Sequence, residues 1–104
     1  MRFDVFSNEN PTTRKKFPYL LVLQSELLDG LDSAVVAPLG KSTVVEGKLA
    51  QTLTPVLEIE GGNYAMYTPE LAAVPTSRLR KRVANVEAQR DVIVGALDFL
   101  FHGI

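Results

Sequence analysis

Few side chains in this sequence could carry out chemistry, and they do not form a known catalytic pattern. His102 is the only histidine and cysteine is absent, so a metal site would rest on carboxylates alone. The chain has no Gly-x-Ser-x-Gly nucleophile motif, and the segment "EGGN" is too short for a phosphate-binding fingerprint. We therefore predict that the protein is not an enzyme and has no catalytic residue, metal or cofactor.

Acidic residues offer one remaining route to hydrolysis. A carboxylate pair could be drawn from Asp4, Glu26, Asp29 or Asp32. Acidic side chains at the ends of strands are, however, usually solvated surface groups. The sequence favours this second interpretation.

Basic residues form two clusters, and each cluster has two interpretations. The first comprises Arg14, Lys15 and Lys16, and the second comprises Arg78, Arg80, Lys81 and Arg82. They can be solvated residues of a loop and of a junction between elements, as most charge runs are. Alternatively, they can form a docking patch for an acidic segment of a partner protein. The sequence leaves both interpretations open.

The apolar C-terminal segment "FLFHGI" also has two interpretations. Phe99, Leu100 and Phe101 can complete the core, with Gly103 ending a helix and His102 lying near the negative end of the helix dipole. Alternatively, the last four residues can form an exposed surface that inserts into a partner. Because Phe99 is rotated by about 100° from Leu100 on a helix, not every aromatic side chain can face the core.

The elements that would position these residues follow from hydrophobic patterning. Strands are predicted at residues 2–7, 19–23 and 34–39; Phe3 and Val5 form the buried face of the first, and Pro38 places an edge or bulge in the third. Residues 8–16 form a polar loop and residues 25–33 a turn. Residues 44–53 fit either a loop or a short strand.

The second half of the chain predicts a hairpin and a terminal helix. The hairpin joins residues 56–60 to 64–67 through "GGN", and residues 68–75 form a single helical turn capped by Thr68. A last strand is predicted near residues 76–79, and a helix with one apolar stripe at about 86–101. Gly95 in the middle of that helix predicts close packing. The architecture is a small antiparallel barrel closed by one C-terminal helix.

Composition indicates one domain that covers residues 1–104. The chain is 46% hydrophobic, which allows a packed core, and its net charge of −1 does not indicate binding to nucleic acid or membranes. The N-terminal residues lack the apolar core of a secretory signal, and the run "YLLVL" is far shorter than a membrane span. We expect a soluble cytoplasmic protein.

Three segments, in order, resemble one protein family. "LVLQSELLDGLDSAVVAPL" resembles the "VDVQSDLLD…VIPL" region of the CcdB toxins, and "LTPVLEIEGGNYAMYTPELAAVPTSRL" resembles their hairpin segment. "ALDFLFHGI" resembles their C-terminal helix with its closing Gly-Ile. The resemblance implies a bacterial type II toxin, a homodimer of SH3-like barrels that is not an enzyme. Such toxins bind the A subunit of DNA gyrase, trap its cleaved-DNA state and are neutralised by a CcdA-like antitoxin.

The resemblance also implies which residues contact each partner. Those implied to contact gyrase are Leu27, Leu28, Asp98, Phe101, His102, Gly103 and Ile104. Those implied to contact the antitoxin are Arg14, Lys15, Lys16, Val44 and Val45. The best-known members have tryptophan at the position of His102, where it stacks on a gyrase arginine, and an amide at the position of Asp98. Histidine offers that arginine a smaller ring face.

Two alternative functions remain open. MazF-type endoribonucleases share the barrel, and fold does not fix function, so Arg14, Arg78 or Glu26 could act on RNA. The protein could also be a non-toxic relative that still captures an antitoxin but no longer poisons gyrase.

Overall fold

Most of the chain lies in one antiparallel sheet. The structure is a computed structural model and describes residues 1–42 and 47–103. Within these ranges the strands are β1 (Asp4–Ser7), β2 (Tyr19–Val22), β3 (Ser33–Lys41), β4 (Val56–Ile59), β5 (Gly62–Met66), β6 (Ala72–Pro75) and β7 (Arg82–Asn85). The helices are α1 (Lys48–Leu53) and α2 (Arg90–His102).

The strand order makes the sheet a curled half-barrel. Its path is β4-β5-β3-β2-β1-β7, with β6 paired to β3 beside β5. The polar loop predicted at residues 8–16 joins β1 to β2, and α2 follows β7 at the end of the chain. The predicted mainly-β fold with a C-terminal helix is therefore confirmed.

Apolar side chains pack on both faces of β1 and β2. The larger hydrophobic cluster contains Val5, Leu21 and Ile93, whereas the smaller one contains Phe6 and Val22. Successive residues of a strand point to opposite faces, so each of these strands contributes side chains to both clusters. Phe3 and Val5 are buried as predicted, but the opposite face of this strand is covered as well, because Phe6 is buried in the second cluster.

Pro38 lies within an interior strand, not at the predicted edge or bulge. Strand β3 pairs with β2 along one side and, along the other, first with β6 and then with β5. The carbonyl of Pro38 accepts a hydrogen bond from Tyr67 N–H (3.0 Å) on that second side. The N–H and C=O of one strand residue point to the same side of the strand. Proline has no N–H, and at Pro38 the side that would need one faces the gap between β6 and β5.

The predicted hairpin is present, with its turn shifted by one residue. Ile59 pairs with Gly62, so the two turn residues are Glu60 and Gly61. Both have positive φ, at 50° and 82°, as a two-residue type I′ turn requires. Gly62 and Asn63 belong to β5, so "GGN" marks the start of the strand as well as the turn.

Three other predicted elements were wrong in type or position. Residues 48–53 form α1, and residues 43–46 of that segment lie outside the described residues. A 3-10 turn at Thr68–Glu70 confirms a helical turn, but Tyr67 is its cap and residues 72–75 form β6. The last strand is β7, and the 76–79 segment predicted for it contains a 3-10 turn, Thr76–Arg78.

Helix α2 packs on the sheet through its predicted apolar stripe. Ile93 and Ala96 are fully buried, and Leu97 is half-buried against the same cluster. The Gln89 side chain fixes the start of the helix, since its amide exchanges two hydrogen bonds with the Glu58 backbone (2.8 and 2.9 Å). The prediction of close packing at Gly95 was wrong for the described residues: apart from its chain neighbours and the adjoining helix backbone, a Cβ there would meet none of their atoms within 4 Å.

No helix among residues 1–42 and 47–103 is both long enough and apolar enough to cross a membrane.

Candidate functional site

Exposed leucines mark the turn between β2 and β3. The 25–31 loop contains a 3-10 turn, Glu26–Leu28, whose start is capped by Ser25: the Ser25 Oγ accepts the N–H of Leu27 at 3.2 Å. No residue of this turn is buried, and Leu27 is 94% exposed. Leu28 and Leu31 are also exposed. The loop therefore presents apolar side chains that its own fold does not cover.

An ion pair ties the 25–31 loop to the beginning of β1. The Met1 amino group donates to the Asp29 Oδ2 atom at 2.8 Å. That hydrogen bond, assisted by the nearby charges of Asp29, Asp4 and Glu26, raises the pKa of the amine above its usual value, although burial opposes the rise. Asp4 also accepts hydrogen bonds from Arg82 (3.3 Å) and Asn85 (3.0 Å).

These contacts show what most of the acidic residues considered for hydrolysis do in the fold. Asp4 and Asp29 are engaged in ion pairs, and Glu26 lies in the electrostatic environment of the same amine. Asp32 contributes its backbone carbonyl, which accepts two hydrogen bonds from Thr76. Asp4 and Asp29 thus stabilise a strand and the loop through ion pairs, whereas the sequence favoured solvated surface groups.

The C-terminal end of α2 combines a structural cap with an exposed ring. Gly103 adopts a left-handed conformation (φ 75°), and its N–H donates to the Phe99 carbonyl at 3.0 Å. Phe99 and Leu100 are half-buried, whereas Phe101 is 63% exposed and His102 is exposed. Phe99 and Leu100 thus pack in part against the fold, whereas Phe101 and His102 are left on the surface, and insertion into a partner stays a prediction. Ile104 lies outside the described residues.

A shallow apolar depression brings the end of α2 to the base of the 25–31 loop. Phe101 and Leu97 line it together with Leu23, Gln24, Val35 and Leu71, and its volume is about 260 Å³. Gln24 immediately precedes the loop, and its side-chain amide donates to the Ser33 carbonyl and accepts the Val35 N–H, both at 3.2 Å. Phe101 therefore lines the same depression as Leu23 and Gln24, the two residues that lead into the 25–31 loop.

Asp98 and His102 are both exposed and lie four residues apart on α2. Residues with this spacing are neighbours on one helical face. A carboxylate and an imidazole ring are therefore next to each other on the last turns of the helix, beside Phe101 in sequence.

The basic residues at 14–16 belong to the β1–β2 loop. Arg14, Lys15 and Lys16 are all exposed. The loop is ordered from within by Asn8, whose side-chain amide donates to the Thr13 hydroxyl (3.0 Å) and to the Phe17 carbonyl (2.8 Å). Val44 and Val45 lie outside the described residues.

One known family matches nearly the whole chain. A family model described as "CcdB protein" matches residues 2–103 of the 104-residue chain. The chain belongs to the CcdB family. It is thus a CcdB-type toxin, from a family of toxins that poison gyrase instead of catalysing a reaction.

One exposed residue of this toxin's candidate surface was missed from the sequence. Leu31 is 53% exposed in the same loop as Leu27 and Leu28. The run "LLDGL" could have indicated it. Its three leucines lie in a predicted turn, which has no helical or strand periodicity that would place them on a buried face.

Proposed function

We propose that this CcdB-type toxin binds the A subunit of DNA gyrase and traps the enzyme after it has cleaved DNA. The proposed contact surface comprises the 25–31 loop and the C-terminal end of α2. The observation that carries the proposal is the exposure of Leu27 and Phe101, together with a depression that Phe101 shares with Leu23 and Gln24, the residues that precede the 25–31 loop. Large apolar side chains grouped in this way on a small protein mark an interaction site.

The two segments have different roles in the proposed complex. Leu27, Leu28 and Phe101 supply apolar area that is buried on binding, as the central residues of an interface do. His102 supplies a flat ring that can stack on an arginine of gyrase when the ring is neutral. Asp98, on the same helical face, adds a negative charge that attracts the same guanidinium. Gly103 ends the helix beside these residues, and Ile104 follows it in sequence.

Poisoning by binding alone needs no catalytic group in the toxin. A ligand shifts a conformational equilibrium when it binds one state more tightly than the others. A toxin that prefers the cleaved-DNA state of gyrase by a factor of 100, about 2.7 kcal/mol, increases the ratio of that state to the uncleaved state in the bound enzyme by the same factor. DNA breaks then accumulate through the chemistry of gyrase itself.

We further propose that the toxin is a homodimer and that a CcdA-like antitoxin neutralises it. The antitoxin contacts are Arg14, Lys15 and Lys16 of the β1–β2 loop together with Val44 and Val45. The exposure of the three basic residues supports this assignment, because an acidic segment could reach all of them. Sedimentation analysis of the purified protein tests the dimer, and a single monomeric species at micromolar concentration would contradict it.

A cleavage assay with purified gyrase tests the main proposal. Supercoiled plasmid, gyrase and ATP are incubated with the toxin, and linear DNA is measured after the protein is denatured and digested. We expect linear DNA to increase with toxin concentration and only when gyrase is present. Failure to accumulate linear DNA would favour a non-toxic antitoxin-binding relative, and cleavage of RNA by the toxin alone would favour the endoribonuclease alternative.

A further inference from the structure

The side chain of Gln24 connects the two ends of the 25–31 loop. Its amide nitrogen donates to the Ser33 carbonyl and its amide oxygen accepts the Val35 N–H, both at 3.2 Å. Gln24 immediately precedes the loop, whereas Ser33 and Val35 belong to β3, which follows it. One side chain therefore joins the entrance of the loop to its exit.

The Gln24 amide extends the pairing of β2 with β3 beyond the point where the two main chains separate. The register of the two strands ends at Val22 opposite Val36, and the Leu23 N–H then donates to the Val35 carbonyl at 3.0 Å. The Val35 N–H points to the same side of β3 as that carbonyl, and the Gln24 side chain accepts it. The side chain thus acts as a strand backbone would, and the main chain is released to form the loop.

Other contacts support the middle and the exit of the loop. Asp29 pairs with the Met1 amine at 2.8 Å. The Asp32 carbonyl accepts two hydrogen bonds from Thr76, at 2.8 and 3.1 Å. Gln24 supplies the corresponding support at the entrance.

Gln24 also lies beside the second part of the proposed gyrase surface. It lines the depression of about 260 Å³ together with Leu97 and Phe101 of α2. Its side chain is half-buried, so both packing and hydrogen bonds set its position. A displacement of Gln24 would therefore change where the loop lies relative to Phe101.

We propose that Gln24 is a positioning residue for the gyrase contact surface. Its two hydrogen bonds fix the 25–31 loop so that Leu27 and Leu28 are presented together with Phe101. Leu27 is almost fully exposed, so packing within the chain does little to hold it. A loop that is already ordered in the free protein loses less conformational entropy on binding, which makes the complex tighter. This inference rests on the proposed binding to gyrase.

Gln89 provides a matched control elsewhere in the fold. Its side-chain amide makes the same kind of contact, donating to the Glu58 carbonyl at 2.8 Å and accepting the Glu58 N–H at 2.9 Å. It lies at the start of α2, about 18 Å along the helix from Phe101 at 1.5 Å per residue. Gln24→Glu and Gln89→Glu each keep the size of the side chain and remove its donor when the carboxyl group is ionised. We expect both variants to melt about 4–8 °C below the wild type.

Titration with the purified gyrase A subunit should separate the two variants. We expect Gln24→Glu to bind about tenfold more weakly than the wild type, whereas Gln89→Glu should bind within about twofold of it. Gln24→Asn keeps the amide but is shorter by one methylene, so it cannot reach both backbone groups of β3. It should also weaken binding about tenfold, although it adds no charge.

Protonation gives a readout that a general loss of stability would not give. The carboxyl group that Gln24→Glu introduces faces the Ser33 carbonyl, which raises its pKa above the usual value for glutamate. When protonated, this group has an O–H that can donate to the carbonyl again. The weakening should therefore be present at about pH 8 and shrink as the pH falls to about 5, with each affinity compared with that of the wild type at the same pH. Gln24→Asn should show no such recovery.

A measurement without gyrase tests the ordering of the loop itself. NMR relaxation of the Leu27 and Leu28 amides gives their order parameters, which are about 0.85 for rigid backbone and below about 0.6 for flexible segments. We expect these order parameters to fall in Gln24→Glu and Gln24→Asn and to stay at the wild-type value in Gln89→Glu.

Three results would overturn the proposal. The first is equal gyrase affinity of Gln24→Glu and Gln89→Glu, and the second is a weakening by Gln24→Glu that does not shrink at low pH. The third is an unchanged order parameter at Leu27 and Leu28 in both Gln24 variants. If the wild type itself does not bind the gyrase A subunit, the proposed function fails, and the order parameters alone then decide whether Gln24 orders the loop.

Discussion

Replacing Leu27 by alanine should separate binding to gyrase from folding. Leu27 is 94% exposed, so almost none of its apolar area is buried in the free protein. The substitution should therefore change the free energy of unfolding by less than about 0.5 kcal/mol. If gyrase covers the side chain, nearly all of its area becomes buried in the complex. Burial of a leucine contributes about 1.5–3 kcal/mol, so truncation should weaken binding about ten- to a hundredfold.

The assay needs a binding measurement, a functional measurement and a matched control. Titration against the purified gyrase A subunit gives the dissociation constant, and the cleavage assay gives the toxin concentration for half-maximal linear DNA. Leu49→Ala removes the same atoms from another exposed leucine (69% exposed), which lies on α1 outside the proposed surface. We expect this control to bind and poison gyrase as the wild type does. Ile93→Ala, in the core, should lower the unfolding free energy by about 2–5 kcal/mol and confirms that the stability assay responds.

Two patterns of results would refute the reasoning about the 25–31 loop. If Leu27→Ala and Leu49→Ala bind gyrase equally well and neither is weaker than the wild type, Leu27 is not buried in the complex. If Leu27→Ala instead melts several degrees below the wild type, the side chain supports the fold and its high exposure in the free protein has been misinterpreted.

Three further predictions concern α2. His102→Trp should lower the toxin concentration for half-maximal cleavage about two- to thirtyfold, because tryptophan offers arginine a larger ring face; equal or weaker potency would count against stacking at this position. Removal of Gly103 and Ile104 should abolish cleavage with only a small change in melting temperature, whereas a large drop would show that these residues support the core. Gly95→Ala should stabilise the protein by about 0.5–1 kcal/mol, since alanine favours helix and its Cβ meets open space; a lower melting temperature would show that another chain packs closely on this glycine.

The elements predicted correctly are those whose pattern is local. Strand β2, the β4–β5 hairpin and α2 each have a periodicity or a turn signal within a few residues. Strand β6 has no such signal, because the alanines of "AAVP" fit a helical turn as well as a strand. Its pairing with β3 decides the matter, with Ser33 opposite Pro75, and this partner lies about forty residues earlier in the chain.

Strand β7 was misplaced for a related reason. Its residues are charged or only half-buried, so little alternation marks it in the sequence. It forms because Asp4 and Val5 of β1 pair with Asn85 and Ala84, after which the register shifts at a bulge. The segment placed there instead, at residues 76–79, contains Leu79, which is buried without belonging to a strand.

The candidate gyrase surface was predictable only in part. Family resemblance suggested Leu27, Leu28 and Phe101, and the structure shows that all three are exposed, while their role stays a prediction. The resemblance did not suggest Leu31, although it follows Leu27 and Leu28 in the same loop. The proximity of residues 8–11 to Ser77, Arg78 and Arg80 could not be predicted, because these residues lie about seventy positions later and come close through the pairing of β1 with β7.

The cleavage assay with wild-type toxin and purified gyrase tests the central claim most directly. The account predicts linear DNA that requires both proteins, increases with toxin concentration and is much reduced by Leu27→Ala but not by Leu49→Ala. It would be contradicted if no linear DNA accumulated at toxin concentrations of tens of micromolar, far above the roughly micromolar affinities of weak specific complexes.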